Sequence, residues 1–125
     1  MYQRYAIYDC PEGALGAFGS AWLGSGRATV ARPARYGFHA TLKPPMVLRQ
    51  GCSPTLLTAA VQRFCALEQS FALPPLTVTD LRGFLALVPT RPCAALNTIA
   101  NRVVAYFEPF RAPMSPADRA RRKPE

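Results

Sequence analysis

The chain has 125 residues, with 15 Lys+Arg against 7 Asp+Glu for a formal net charge of +8. That is one domain's worth of length or less, and an apolar share of one half argues against wholesale disorder. No apolar stretch reaches 18 residues and the first nine alternate polar with aromatic side chains, so neither a membrane span nor a secretory leader is expected.

Residues 4–8 read as a first strand, stopped by the turn cluster Cys10-Pro11-Glu12-Gly13. Residues 15–23 place Leu15, Phe18, Trp22 and Leu23 at helical spacing, and the surrounding glycines weaken that short helix. Residues 24–35 look like a loop. From 37 to 42 the period switches to two, with Phe38, Ala40 and Leu42 on one face and His39, Thr41 and then Lys43 on the other; Pro44-Pro45 is expected to end this strand. Ser53 and Pro54 form a helix entrance, followed by a stripe of Leu57, Val61, Phe64 and Leu67 running to about residue 70. Residues 76–81 and 84–88 read as two strands joined tightly near Gly83. A second main helix starts near Cys93, carries Leu96, Ile99, Val103 and Phe107 on one stripe, and stops at Pro109. The order predicts an α+β lobe over residues 1–111, a four-stranded, mostly antiparallel sheet with two main helices on one face. Residues 112–125 are rich in Pro, Ala and Arg and read as a basic tail or a severed connector.

Cys10, Cys52, Cys65 and Cys93 contain no CxxC spacing, and a single histidine cannot complete a zinc set, so neither a metal site nor a disulfide framework is suggested. Free thiols of this kind are expected to behave as small buried hydrophobes in a reducing, cytoplasmic setting. Trp22, Phe64, Phe84 and Phe107 fall on apolar stripes and read as core. The last fifteen residues carry a net charge of +3, and elsewhere the basic residues are spread singly. This balance favours anionic ligands without naming one, and a solvated basic surface is the plainer account. Nucleic acid is not favoured, because no RNP-like basic-aromatic motif is present.

His39 is the sole histidine and lies two residues before Thr41. On a strand the two share a face, which suits a phosphate: an imidazole exchanges a proton near neutral pH and a hydroxyl donates to a non-bridging oxygen. In a regular strand Lys43 and Arg35 fall on the same parity and add positive charge at the ends of the row. His-x-Thr alone leaves two readings open, a structural histidine and a catalytic one. No GxSxG, GxxxxGK[ST], GxGxxG or HExxH pattern offers another chemistry.

Taken together, Arg4-Tyr-Ala-Ile-Tyr8, Phe18-Gly-Ser-Ala-Trp-Leu-Gly24, Arg35-Tyr-Gly-Phe-His-Ala-Thr-Leu-Lys-Pro-Pro45, Phe71-Ala-Leu-Pro-Pro-Leu76 and Gly83-Phe-Leu-Ala-Leu-Val-Pro89 resemble the phosphonate-operon proteins of the two-histidine phosphoesterase superfamily. The resemblance runs in order from residue 2 to about 117. It implies one lobe of a bilobal fold in which each lobe offers a His-x-Thr/Ser strand to a central cleft. One histidine serves as general base and the other as general acid on a phosphodiester or cyclic phosphate of a small phosphorylated substrate, with no metal or other cofactor. His39 and Thr41 take the first motif's positions. The chain departs from the family in having no second histidine and a short 25–33 loop. The expectation is therefore a half-length, truncated member, whose lobe surface invites self-association and of which a symmetric dimer would bring two copies of His39 together. The alternatives are a non-catalytic phosphate-ligand or RNA-binding half-domain, and a non-functional fragment.

Overall fold

A computed structural model describes residues 3–121, so the last four residues of the expected basic tail lie outside the described residues. Strands β1 (Arg4–Asp9), β2 (Ala40–Val47), β3 (Leu76–Leu81) and β4 (Phe84–Pro89) accompany helices α1 (Gly13–Leu23), α2 (Pro54–Ala66), α3 (Ala94–Phe107) and α4 (Pro116–Arg121), with 3₁₀ turns at Ala28–Val30, Pro33–Arg35 and Glu108–Phe110. The fold is α+β. The expected single four-stranded sheet does not form: among the described residues β1 pairs only with β2, and β3 only with β4, both antiparallel. Each pair satisfies its inner ladder and leaves an outer edge, so the sequence pattern located four strands but neither their partners nor the bounds of β2, expected over 37–42. The chain divides into two units, one up to Val47 and one from Leu48 onward.

In the first unit α1 runs through its glycines, and two of them are needed: a Cβ on Gly16 would strike the Pro11 carbonyl oxygen. A Cβ on Gly19 would sit 2.1 Å from Cγ of Phe38, so the bare backbone is what admits the Phe38 ring. β2 also runs through Pro44-Pro45 instead of ending there. The ladder pairs Ile7 with Lys43 and then Tyr5 with Met46, so both prolines fall inside a register shift where neither partners a β1 residue. Val30, Lys43 and Met46 are buried.

In the second unit the Ser53 side chain accepts from Leu56 N–H at 3.1 Å, capping α2 as its sequence suggests. Leu57, Ala60 and Phe64 of α2 and Val103 and Phe107 of α3 are buried, as is Pro74 ahead of β3. Phe64 and Phe107 meet with ring centroids 5.6 Å apart and tilted by 56°, and Tyr106 lies 5.2 Å from Phe64. Arg102 of α3 lies over the Phe64 ring at 5.3 Å and pairs with Glu68. After α3 the chain turns through Glu108–Phe110, and Arg49 N–H donates to Phe110 C=O at 2.8 Å. Glu108 hydrogen-bonds the Arg111 guanidinium and raises its pKa above the ordinary arginine value. The β3–β4 turn holds Arg82 at φ 56°, and Asp80 Oδ1 accepts from Gly83 N–H at 2.6 Å.

Three side-chain expectations are corrected here. Leu67 is 84% exposed because α2 ends at Ala66, before the stripe would turn it inward. Phe84 is 56% exposed at the start of β4, paired with an equally open Leu81. Cys10 and Cys65 are exposed, not small core fillers. The region read as tail or connector contains α4, entered through Ser115, whose hydroxyl donates to Asp118 Oδ2 at 2.8 Å and accepts from Asp118 N–H. Among the described residues, no helix is long and apolar enough to cross a membrane.

Two substitutions probe the units separately. Phe107→Ala removes a side chain that is 1% exposed and should cost about 3–5 kcal/mol in urea denaturation. Gly19→Ala would ordinarily strengthen a helix by up to about 1 kcal/mol. Here the clash with Phe38 should reverse the sign and lower stability by about 1–3 kcal/mol, read as a lower urea midpoint.

Candidate functional site

The site is assembled by three local features of the first unit. Phe38, seated against Gly19, anchors the approach to β2. Gly37 turns the backbone at φ +75°, a left-handed conformation that a side chain would strain. His39 follows immediately, ahead of the first residue of β2, and is half-buried.

His39 Nδ1 lies 2.9 Å from Gly37 C=O, and Nε2 lies 3.2 Å from Thr41 Oγ1. A carbonyl only accepts, so Nδ1 carries the proton of the neutral ring and Nε2 receives the Thr41 hydroxyl hydrogen. The tautomer that keeps Nε2 as the basic nitrogen is therefore set by the backbone. Thr41 is exposed, so both Nε2 and Oγ1 are presented on the open side of the strand. A phosphate placed there would take the hydroxyl hydrogen on one oxygen and meet Nε2 with another.

β1 supplies a contact that sequence reasoning did not identify. The Tyr8 ring stacks on the imidazole with centroids 3.6 Å apart and planes 15° from parallel. Tyr8 is paired in register with Thr41, so both belong to the face that holds His39. A tyrosine in a strand carries no distinguishing signal in one sequence; only the pairing of β1 with β2 reveals it.

The four residues expected in one row are separated. His39 and Thr41 come together. Lys43 pairs with Ile7, the β1 neighbour of Tyr8, because the ladder shifts register between those two residues. Adjacent strand residues point to opposite faces, so this shift turns Lys43 away from Thr41, and it is only 3% exposed. Arg35 is exposed at the end of the Pro33–Arg35 turn, where the regular strand that would align it with His39 does not exist.

Residues 41–125 match the family model described as Protein of unknown function (DUF1045). Two relatives share the name Ribose 1,5-bisphosphate phosphokinase PhnN. The one from Janthinobacterium sp. (strain Marseille) is 32% identical over 142 residues, covering 96% of this chain and 31% of its own length. The one from Laribacter hongkongensis (strain HLHK9) is 32% identical over 129 residues, covering 88% of this chain and 31% of its own. The chain thus spans about a third of the length of these curated relatives. Both alignments exceed the 125 residues present, so each relative carries internal residues with no counterpart here. No solved structure gives a significant match. The family model takes in more than half of the chain, from the site threonine onward, and the chain belongs to the DUF1045 family.

Proposed function

We propose that this chain carries one His-x-Thr half of a two-histidine phosphoesterase site that acts on a phosphodiester or cyclic phosphate in phosphonate metabolism. The observation that carries this reading is the His39 Nε2 to Thr41 Oγ1 contact, with Nδ1 held by a backbone carbonyl. A proton-exchanging nitrogen and a hydroxyl donor lie within one phosphate's width on an open face. The phosphonate setting is supported by the relatives, whose shared name PhnN belongs to the phosphonate operon.

In this reading His39 takes a proton from an attacking hydroxyl or water through Nε2, or returns one to the leaving oxygen, and Thr41 holds a non-bridging oxygen. His39 is the chain's sole histidine, so the second acid–base group would come from outside these 125 residues. Arg35, exposed on its turn, adds long-range attraction for an anion, while Lys43 contributes its charge from within the unit. The relatives' kinase chemistry is not carried over, because this chain holds no GxxxxGK[ST] phosphate loop.

The test is incubation of the chain with 2′,3′-cyclic AMP, following phosphomonoester release by ³¹P NMR. His39→Ala should lower the rate roughly 10²- to 10⁴-fold, the usual contribution of one placed acid or base. Thr41→Val should weaken binding of the probe about 3- to 10-fold, the equivalent of one hydrogen bond. Turnover that persists in His39→Ala removes the proposed role. If the chain shows no turnover, binding must still depend on His39 and Thr41, and binding indifferent to both overturns the reading.

A further inference from the structure

We propose that Tyr8 is the positioning residue of the site: its ring forms the platform that fixes the plane of the His39 imidazole and so keeps Nε2 directed at the phosphate position. This rests on the role given to His39 above and adds a residue to it.

Both hydrogen bonds of the imidazole come from residues two positions away in the same short segment. They name the tautomer but tie the ring only to its own stretch of backbone. The Tyr8 stack, at 3.6 Å and 15°, is the one described contact that joins the ring to a different strand. It also closes off rotation out of the plane that two end-on hydrogen bonds permit.

The ladder is arranged to produce this contact. Tyr8 stands opposite Thr41, and the register shift on its Ile7 side separates that pair from the pairing of Ile7 with buried Lys43. Continued in regular register, Lys43 would share the face of His39 and bring a cation beside it. The shift removes that charge from the face where the Tyr8–Thr41 pairing places the aromatic ring. An aromatic face suits the imidazole in both of its protonation states, by stacking when neutral and by cation–π attraction when charged. It offers no in-plane acceptor to compete for the proton that Nε2 must exchange. The support therefore persists through an acid–base cycle, which a carboxylate partner's would not.

The test uses the fact that one histidine gives one set of imidazole ¹⁵N signals. At pH 8.5 the wild-type chain should show the Nδ1–H tautomer, and Tyr8→Phe, which keeps the ring, should show the same spectrum. Tyr8→Leu, and Tyr8→Ile as a second variant of good strand propensity, should shift the tautomer ratio toward Nε2–H by roughly 2- to 10-fold, the population equivalent of one aromatic pair. An unchanged ratio in either aliphatic variant, with a native-like amide spectrum, overturns the proposal, since Gly37 and Thr41 would then suffice. A Tyr8→Phe ratio as disturbed as that of Tyr8→Leu also overturns it, by assigning the effect to the hydroxyl. Because this readout needs no substrate, its outcome is separate from the turnover and binding assays, and binding indifferent to His39 and Thr41 counts against the phosphoesterase reading alone. Where turnover occurs, Tyr8→Leu should lower kcat with little change in KM.

Discussion

The pairing of β1 with β2 slips register twice within six residues, and the first unit is organised around those slips. One lies between Tyr8 and Ile7, the other between Ile7 and Tyr5. The first sends Thr41 and Lys43 to opposite faces of a strand where simple alternation would keep them together. The second gives Pro44 and Pro45 positions that partner no β1 residue, so a strand can continue through two residues lacking N–H groups. An irregularity that would weaken a longer sheet is accommodated in a two-stranded ribbon, where among the described residues each strand pairs along one edge only.

The site follows from that geometry with few additional residues. Gly37 provides the turn and the carbonyl, Phe38 the anchor, and Gly19 the notch that receives it. Each is small or apolar, and none would be singled out by a search for reactive side chains. The acid–base role proposed for His39 depends on them because an imidazole's usefulness lies in which nitrogen keeps its lone pair. That is decided by the backbone group that occupies the other nitrogen.

The second unit shows a different economy. Most of its buried apolar side chains belong to α2 and α3, where Phe64, Tyr106 and Phe107 form a continuous aromatic cluster. The β3–β4 hairpin, by contrast, leaves Val78, Leu81, Phe84 and Leu85 largely exposed. Apolar patterning marks a residue's capacity for burial, and whether burial occurs depends on a surface to pack against. Phe107 and Phe84 sit on equally convincing stripes in the sequence; one has α2 opposite it and the other stands at a hairpin end.

Local order was legible in the sequence wherever it depends on neighbours along the chain. The Ser53 cap, the Val103 and Phe107 stripe, the tight turn at Gly83, the α+β class and the His39 and Thr41 proximity all follow from spacing and residue type over a few positions. The tertiary structure alone decided the two separate ladders, the strand through Pro44-Pro45, the burial of Lys43 and the stacking of Tyr8 under His39. Parity along one strand is a local property, but register belongs to a pair of strands, and a single unpaired residue inverts every face beyond it.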